Sequence, residues 1–412
     1  PYSITPSPHH PITPHLPITL YPPPLQMAIK PSQIQAILNH KRTDFATFNQ
    51  GAASSLQAYQ AAWEGLSQTS EAELASWLKD QSGEVGARPL ESFRDTRDGI
   101  IRSGLSWPNR EQSLAWVKAQ LDQVTTFAVD GSQIFPSKDL SIPIALVQIG
   151  WFENPHAAQR DYVKDISLDV LTPKELSQTS QPAERWVNLR RFEMEVQRLV
   201  DYMQQVTEPE RCLVFFDGSL VLSFADMMED EIGQPYVQSV TQLLQASERY
   251  RVPLVGYVDT AGSRDLVTLL KTFADLEAAV PIHDAQLLNP LMTWGDRTPL
   301  CQCDRGGILN RYGNLRDRVT FTYLKTNQSY PARIELPRWL WEEGRVKTVL
   351  DWVRAEVIVG GGYPYAIETA DQTAVLQSRD RQLFYRILQD WADGEDLPLR
   401  LSRKMLSKAQ RR

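Results

Sequence analysis

Two segments of this chain close in the same way, and their shared ending constrains the fold more than any other feature. Thr125-Thr126-Phe127-Ala128-Val129-Asp130-Gly131-Ser132 and Cys212-Leu213-Val214-Phe215-Phe216-Asp217-Gly218-Ser219 are each a short apolar run followed at once by Asp-Gly-Ser. Runs of this length, bounded by Gly and Ser, predict buried strands. A carboxylate at a buried strand end is costly unless a partner meets it. A single copy is satisfied by a turn, since Asp-Gly is a common hairpin signal. Two copies bring two carboxylates to one site, which is how a hard divalent cation is held.

The elements around these runs set a topology. Strands are predicted over 125–130, 142–151 and 166–170, the last from the alternation of Ile166, Leu168 and Val170. A helix over 183–205 comes next, then a strand over 212–217, a helix over 237–250 and a strand over 252–258 that ends at Asp259. Three strands on short links, then helix-strand-helix-strand, predict antiparallel hairpins on one side of a sheet and parallel crossovers on the other. That is the strand order of the ribonuclease H-like fold, an α/β mixed sheet with flanking helices. Residues 27–121 read as a helical N-terminal region, with apolar positions at helical spacing in Ile34, Ile37, Leu38 and again in Leu74, Trp77, Leu78. The mixed domain is expected over 122–390, with a basic tail over 391–412. Residues 1–26 are Pro-rich, precede the first methionine at Met27, and are expected to be an extended or disordered stretch upstream of the folded unit.

Composition narrows the function classes. No apolar stretch is long enough to span a bilayer, so no membrane role is expected. Three cysteines in 412 residues argue against a disulfide framework and fit a reducing cytoplasm. Cys301-Gln302-Cys303 lacks a second ligand pair, which argues against zinc. The net charge of −7 does not advertise a nucleic-acid binder. Locally, however, Arg316, Arg318, Lys325 and Arg333 are interleaved with Tyr323, Tyr330, Trp339 and Trp341, a candidate surface for phosphates and unpaired bases.

Further carboxylates cluster by pattern. The helix over 183–205 carries an apolar stripe of Leu189, Phe192, Val196, Leu199 and Met203, and Glu193 and Glu195 flank it on opposite sides. Either could reach the catalytic edge, but not both. In the segment 363–375 the expected inward positions are Ile367, Ala370, Ala374 and Val375, and Asp371 falls on that same face. Asp259 is a weaker candidate, equally suited to capping the segment after it. Two divalent ions about 4 Å apart on shared Asp and Glu oxygens would activate water and stabilise a leaving alkoxide in phosphodiester cleavage. All-carboxylate ligation favours Mg²⁺ or Mn²⁺.

The ordered set Val129-Asp130-Gly131-Ser132, Arg191-Phe192-Glu193-Met194-Glu195, Asp217-Gly218-Ser219-Leu220 and Gly362-Tyr363-Pro364-Tyr365 with Asp371 resembles the NurA nucleases in order and spacing. Gly295-Asp296-Arg297-Thr298-Pro299-Leu300 is similar to a loop of that family, and the resemblance covers about 120–390. It implies a ribonuclease H-like core, a homodimer, a requirement for Mn²⁺ or Mg²⁺, and exo- and endonuclease action on DNA with a HerA-type hexameric ATPase in double-strand-break end processing. It also implies that Asp130, one helix Glu and Asp217 are metal ligands. The Arg/Glu spacing of the family, matched by Arg191, favours Glu195 over Glu193. Two positions depart from the pattern. Many members carry a Lys where this chain has Asp259, leaving Arg264 as a substitute phosphate contact, and many carry a His where Asp371 stands. The chain has no Gly-x-x-x-x-Gly-Lys-Ser/Thr motif, so an ATP-driven partner must be a separate protein.

Two other classes compete. A haloacid dehalogenase-like phosphatase also places Asp at a strand end, but wants a second Asp two positions on, where this chain has Ser132 and Ser219. A non-catalytic or weakly active partner subunit with the same fold would account for the two departures, yet a decayed site has no reason to keep buried charges.

Overall fold

The two Asp-Gly-Ser runs lie side by side. In the computed structural model, which describes residues 29–177, 181–277 and 280–400, β2 (Thr125–Ile134) pairs in parallel with β5 (Cys212–Asp217), and Val129 is in register with Phe216. Antiparallel partners β3 (Ala145–Asn154) and β4 (Val163–Leu171) extend the sheet on one side of β2. On the other side β6 (Leu254–Val258) pairs in parallel with β5. The order β4-β3-β2-β5-β6 is that of the ribonuclease H-like fold, and the chain has this fold.

The sheet does not stop there. β9 (Ala332–Pro337), β8 (Val319–Leu324), β7 (Cys301–Asp304) and β1 (Gly86–Pro89) continue it antiparallel beyond β6, to nine strands among the described residues. Here the structure corrects the sequence reading in three ways. The region 27–121, expected to be helical, contributes the edge strand β1. The segment 316–341, read as a surface, supplies two interior strands. The first Asp-Gly-Ser is also not a strand end: β2 runs on to Ile134 against β3, and only its pairing with β5 stops at Val129.

Helices cover both faces. α2 (Arg42–Gln68), α3 (Glu71–Asp80) and α4 (Arg110–Leu121) precede β2. α5 (Pro173–Leu176) and α6 (Ala183–Gln205) lie between β4 and β5, and α7 (Asp230–Tyr250) joins β5 to β6. α8 (Asp265–Phe273) and α9 (Asp284–Leu288) lead to β7, while α10 (Trp339–Glu342), α11 (Val346–Val359), α12 (Tyr365–Ala374) and α13 (Ser378–Gly394) come after β9. Strand alternation sorts the core. Phe127, Val129, Val214 and Phe216 pack with the stripe of α6 and with α7 and α8. Ala128, Leu213 and Phe215 point the other way, toward α4, α11 and α12. Asp130 and Asp217 share the parity of this second face, toward α12. No helix among the described residues is long and apolar enough to cross a membrane.

The N-terminal helix α1 (Pro31–His40) and the residues up to Gly51 belong to a separate unit, in which no described side chain is buried. The Pro-rich 1–26 and most of the basic tail lie outside the described residues. The expected boundary at 391 falls inside α13, whose Leu388 and Ala392 are buried, and Leu399 packs beside them.

Gly150 of β3, opposite Asp130, lets α12 settle on the sheet. A Cβ there would stand 2.6 Å from the Ala374 amide nitrogen and 2.8 Å from the Thr373 carbonyl carbon. Gly150→Val is therefore expected to lower stability by about 1–3 kcal/mol through overpacking. Gly65→Ala, in the open interior of α2, should raise it by about 0.5–1 kcal/mol. Urea midpoints of the two variants check both signs.

Candidate active site

The chemistry gathers where the β2–β5 pairing ends. Asp130 comes directly after Val129, the last residue of β2 that pairs with β5, and its Oδ1 accepts a hydrogen bond from the Gly131 amide at 2.7 Å. Asp217 ends β5, and Tyr363, just before α12, donates its hydroxyl to Asp217 Oδ1 at 2.9 Å. From α6, Arg191 Nη1 lies 2.9 Å from Glu195 Oε1 and 3.9 Å from Asp130 Oδ1, and also donates to the Gly131 carbonyl. Glu195 comes this close because Gly131 has no side chain; a Cβ would lie 2.4 Å from Glu195 Oε1.

Asp371 joins from α12, within hydrogen-bonding reach of Asp130. The sequence reading placed it on the buried face of that helix. It is exposed instead, as is Val375, while Ala366, Ile367, Ala370 and Ala374 form the buried face. Asp371 therefore meets the site from the rim. Asp259, past the end of β6, stands within electrostatic range of Asp217 and is held by Asn327.

The charges are poorly compensated. Burial pushes the Asp130 carboxyl up to about 6, and the neighbouring Asp371 and Asp217 add to the rise. Burial pushes Glu195 up to about 8 despite Arg191. Asp217 is also raised, by desolvation of its inner side, with the Tyr363 hydrogen bond opposing. One guanidinium thus faces several carboxylates. The donors are all oxygens, the set that a hard divalent ion takes. Among the described residues no three His, Cys, Asp or Glu side chains are drawn together tightly enough to enclose a cation as they stand.

Other expected site residues lie elsewhere. Glu193 projects from the far flank of α6, near Arg190, whose main partner is Asp169 on β4 at 2.7 Å. Arg264 is exposed at the start of α8, facing Tyr59 rather than the carboxylates. Arg333 is fully buried between Asp265 and Glu335, and Lys325 is buried against Asn289 and the Ser329 carbonyl; neither presents a surface to a phosphate. Arg316 and Arg318 are half-buried and paired with Glu84 and Glu342. The segment 295–300 is structural: Asp296 accepts from Arg102 and the Ser103 amide, and Arg297 pairs with Glu91, tying 91–103 to the sheet. Sequence reasoning passed over Tyr363 as an individual side chain, although its motif was visible.

The NurA domain family matches residues 124–376, more than half of the chain. The chain belongs to the NurA domain family. Membership supports a nuclease activity, and the matched span holds every carboxylate of the site. No curated protein sequence matches it significantly. Solved structures to which this NurA-family chain is similar include endonuclease V from Bacillus subtilis, at 12% identity and a TM-score of 0.31 over 70% of this chain and 98% of that one. The catalytic domain of human endonuclease V matches at 15% identity and a TM-score of 0.31, over 78% and 99% of the two chains. Ciona intestinalis endonuclease V, in complex with DNA, matches at 10% identity and a TM-score of 0.28, over 67% and 96%. At these scores the fold assignment rests on the strand order itself.

The raised carboxyls fix a pH dependence. In metal-free protein, Asp130 and Glu195 bind protons more tightly folded than unfolded, where carboxyls titrate near 4. Their ionisation therefore weakens the fold, with no penalty below about pH 4 and a growing one as pH rises through about 6 and about 8. Glu195→Gln should flatten this fall and exceed the parent protein at pH 8 by about 1–3 kcal/mol. Urea unfolding in EDTA at pH 5 and pH 8 measures it; parallel profiles would contradict the assignment.

Proposed function

We propose that this chain is a divalent-metal-dependent deoxyribonuclease, acting as exo- and endonuclease, with Mn²⁺ or Mg²⁺, two ions in all, as cofactor. The observation that carries this reading is the convergence of Asp130, Glu195, Asp217 and Asp371 from two strands and two helices with one guanidinium among them. These four residues would hold the metal, with Glu193 outside the set and Asp259 at its margin. A divalent metal held there would supply positive charge beside the scissile phosphate and would lower the pKa of a bound water. The chain's own contribution is orientation. Tyr363 fixes the direction of Asp217, and Arg191 steadies Glu195 and Asp130 while carrying a positive charge toward the place of a phosphate.

The same reading places the enzyme in double-strand-break end processing with a HerA-type hexameric translocase, in the cytoplasm, as a homodimer. Three free, buried cysteines are in keeping with a reducing compartment. The edge strand β4 exposes Ile166, Leu168 and Val170, an apolar seat suited to a second copy. Arg316 and Arg318 remain candidates for phosphate contact.

Labelled linear DNA incubated with purified protein and Mn²⁺, Mg²⁺ or EDTA tests the proposal. Cleavage is expected with either metal and not with EDTA. Asp130→Ala, Asp217→Ala and Glu195→Gln should each lose more than the about 10–100-fold typical of outer-shell changes, while Glu193→Gln cleaves normally. Equal activity in EDTA, or full activity of Asp130→Ala, would overturn it.

A further inference from the structure

Behind the carboxylate edge lies a second set of charges that the site does not use. Arg333 and Glu335 of β9 are both fully buried, 2.6 Å apart, and Arg333 Nη1 is 2.7 Å from Asp265. The Arg333 guanidinium also lies 3.9 Å from the centre of the Phe321 ring. Arg305 grips both oxygens of Asp265 and reaches Ser223 Oγ at 2.7 Å and Ser263 Oγ at 3.0 Å. The Glu335 carboxylate accepts from Ser219 Oγ at 2.9 and 3.1 Å and from the Leu220 amide at 2.5 Å.

The outlets of this network are specific in place. Ser219, Leu220 and Ser223 lie in the loop that leaves Asp217, and Ser263 lies in the loop that leaves Asp259. Glu335 reaches the first loop across β6 at Gly256, its register partner. A Cβ at Gly256 would lie 2.9 Å from Leu220 Cγ and 3.0 Å from the Gly218 carbonyl oxygen, so a side chain there would push the loop off. The loop is also tied by the Gly218 amide to the Tyr257 carbonyl, and by Tyr312, whose hydroxyl donates to the Leu220 carbonyl. Asp217 itself is exposed and has one side-chain hydrogen bond, from Tyr363. Its backbone is in register with Tyr257 of β6 and runs straight into the Gly218–Leu220 loop.

A buried ion pair is a poor way to gain stability, because desolvation offsets most of the attraction and an apolar replacement often does as well. Its value here is directional: a charged acceptor with no freedom to move holds a hydroxyl and an amide in one arrangement. We propose that Glu335 is a positioning residue for Asp217, fixing the Gly218–Leu220 loop through Ser219 and Leu220, with Arg333 holding Glu335 in place. This rests on the reading of Asp217 as a metal ligand. It also explains why Ser comes after Asp-Gly in the second run, since Ser219 supplies the hydroxyl that Glu335 binds.

The test measures Mn²⁺ affinity of the full chain by loss of the free-ion electron paramagnetic resonance signal, beside the rate of DNA cleavage. Glu335→Gln is expected to weaken Mn²⁺ binding about tenfold or more and to lower kcat, with DNA affinity in EDTA unchanged. Ser219→Ala removes one hydroxyl from a half-buried position, so it folds even where Glu335→Gln does not, and should show a smaller loss in the same direction. On an Asp217→Ala background, Glu335→Gln should cause no further loss of Mn²⁺ affinity. A wild-type protein that binds Mn²⁺ and cleaves, with both variants matching it and only the melting temperature lowered, would overturn the inference and leave the nuclease reading standing. A wild-type protein that neither binds Mn²⁺ nor cleaves would overturn the nuclease reading and this inference with it.

Discussion

Everything at the site depends on the parallel pairing of β2 with β5, and on where it stops. Parallel strands cannot be joined by a tight turn, so α6 must cross between their ends. That crossover lays the Arg191–Glu195 turn over the point at which β2 loses its β5 partner. Asp130 and Asp217 emerge there on one face, and α12 settles on the same face because Gly150 leaves it room. Each carboxylate is thus delivered by an element whose place is set by burial of Phe127, Val129, Val214, Phe216 and their opposite-facing neighbours. The hydrophobic effect builds the frame, and the ionic groups occupy the rim that it leaves open.

The two groups of charges are handled in opposite ways. At the site, negative charge exceeds positive; burial raises the Asp130 and Glu195 carboxyls, and their like-charged neighbours add to the rise. Behind it, Arg333, Asp265 and Glu335 are almost wholly removed from water and, with the partly exposed Arg305, are matched and hydrogen-bonded. An unsatisfied cluster attracts a cation; a satisfied one resists change. Their adjacency joins a binding edge to a stiff support.

The central five strands were legible because each run is apolar, short and punctuated, so β2, β3, β4, β5 and β6 emerge from local pattern. The carboxylates of β2 and β5 were legible for the same reason. Glu195 and Glu193 were not separable by periodicity, since both flank one stripe; the choice depends on Gly131, a tertiary contact. Asp371 was misplaced because a ten-residue helix has too few turns to define its face, and Val375 proved to lie past its end. Lys325 and Arg333 were misread most. On a surface their charge would face solvent, but Arg333 sits in β9 and Lys325 just past the end of β8, and these strands lie inside a sheet extended by β7 and β1. Nothing in the residues 86–89 announces that a four-residue strand will close that edge.

The position of α12 in the chain has a consequence for biosynthesis. Ser132 donates its hydroxyl to the Ala374 carbonyl, 242 positions later, and Asp371 belongs to that same late helix. A chain emerging from the ribosome has Asp130, Glu195 and Asp217 in hand long before Tyr363 and Asp371 exist. The constellation is therefore completed only when nearly all of the fold has been made. The late position of α12 in the chain thus keeps Tyr363 and Asp371 out of the site until the strands that carry Asp130 and Asp217 are already made.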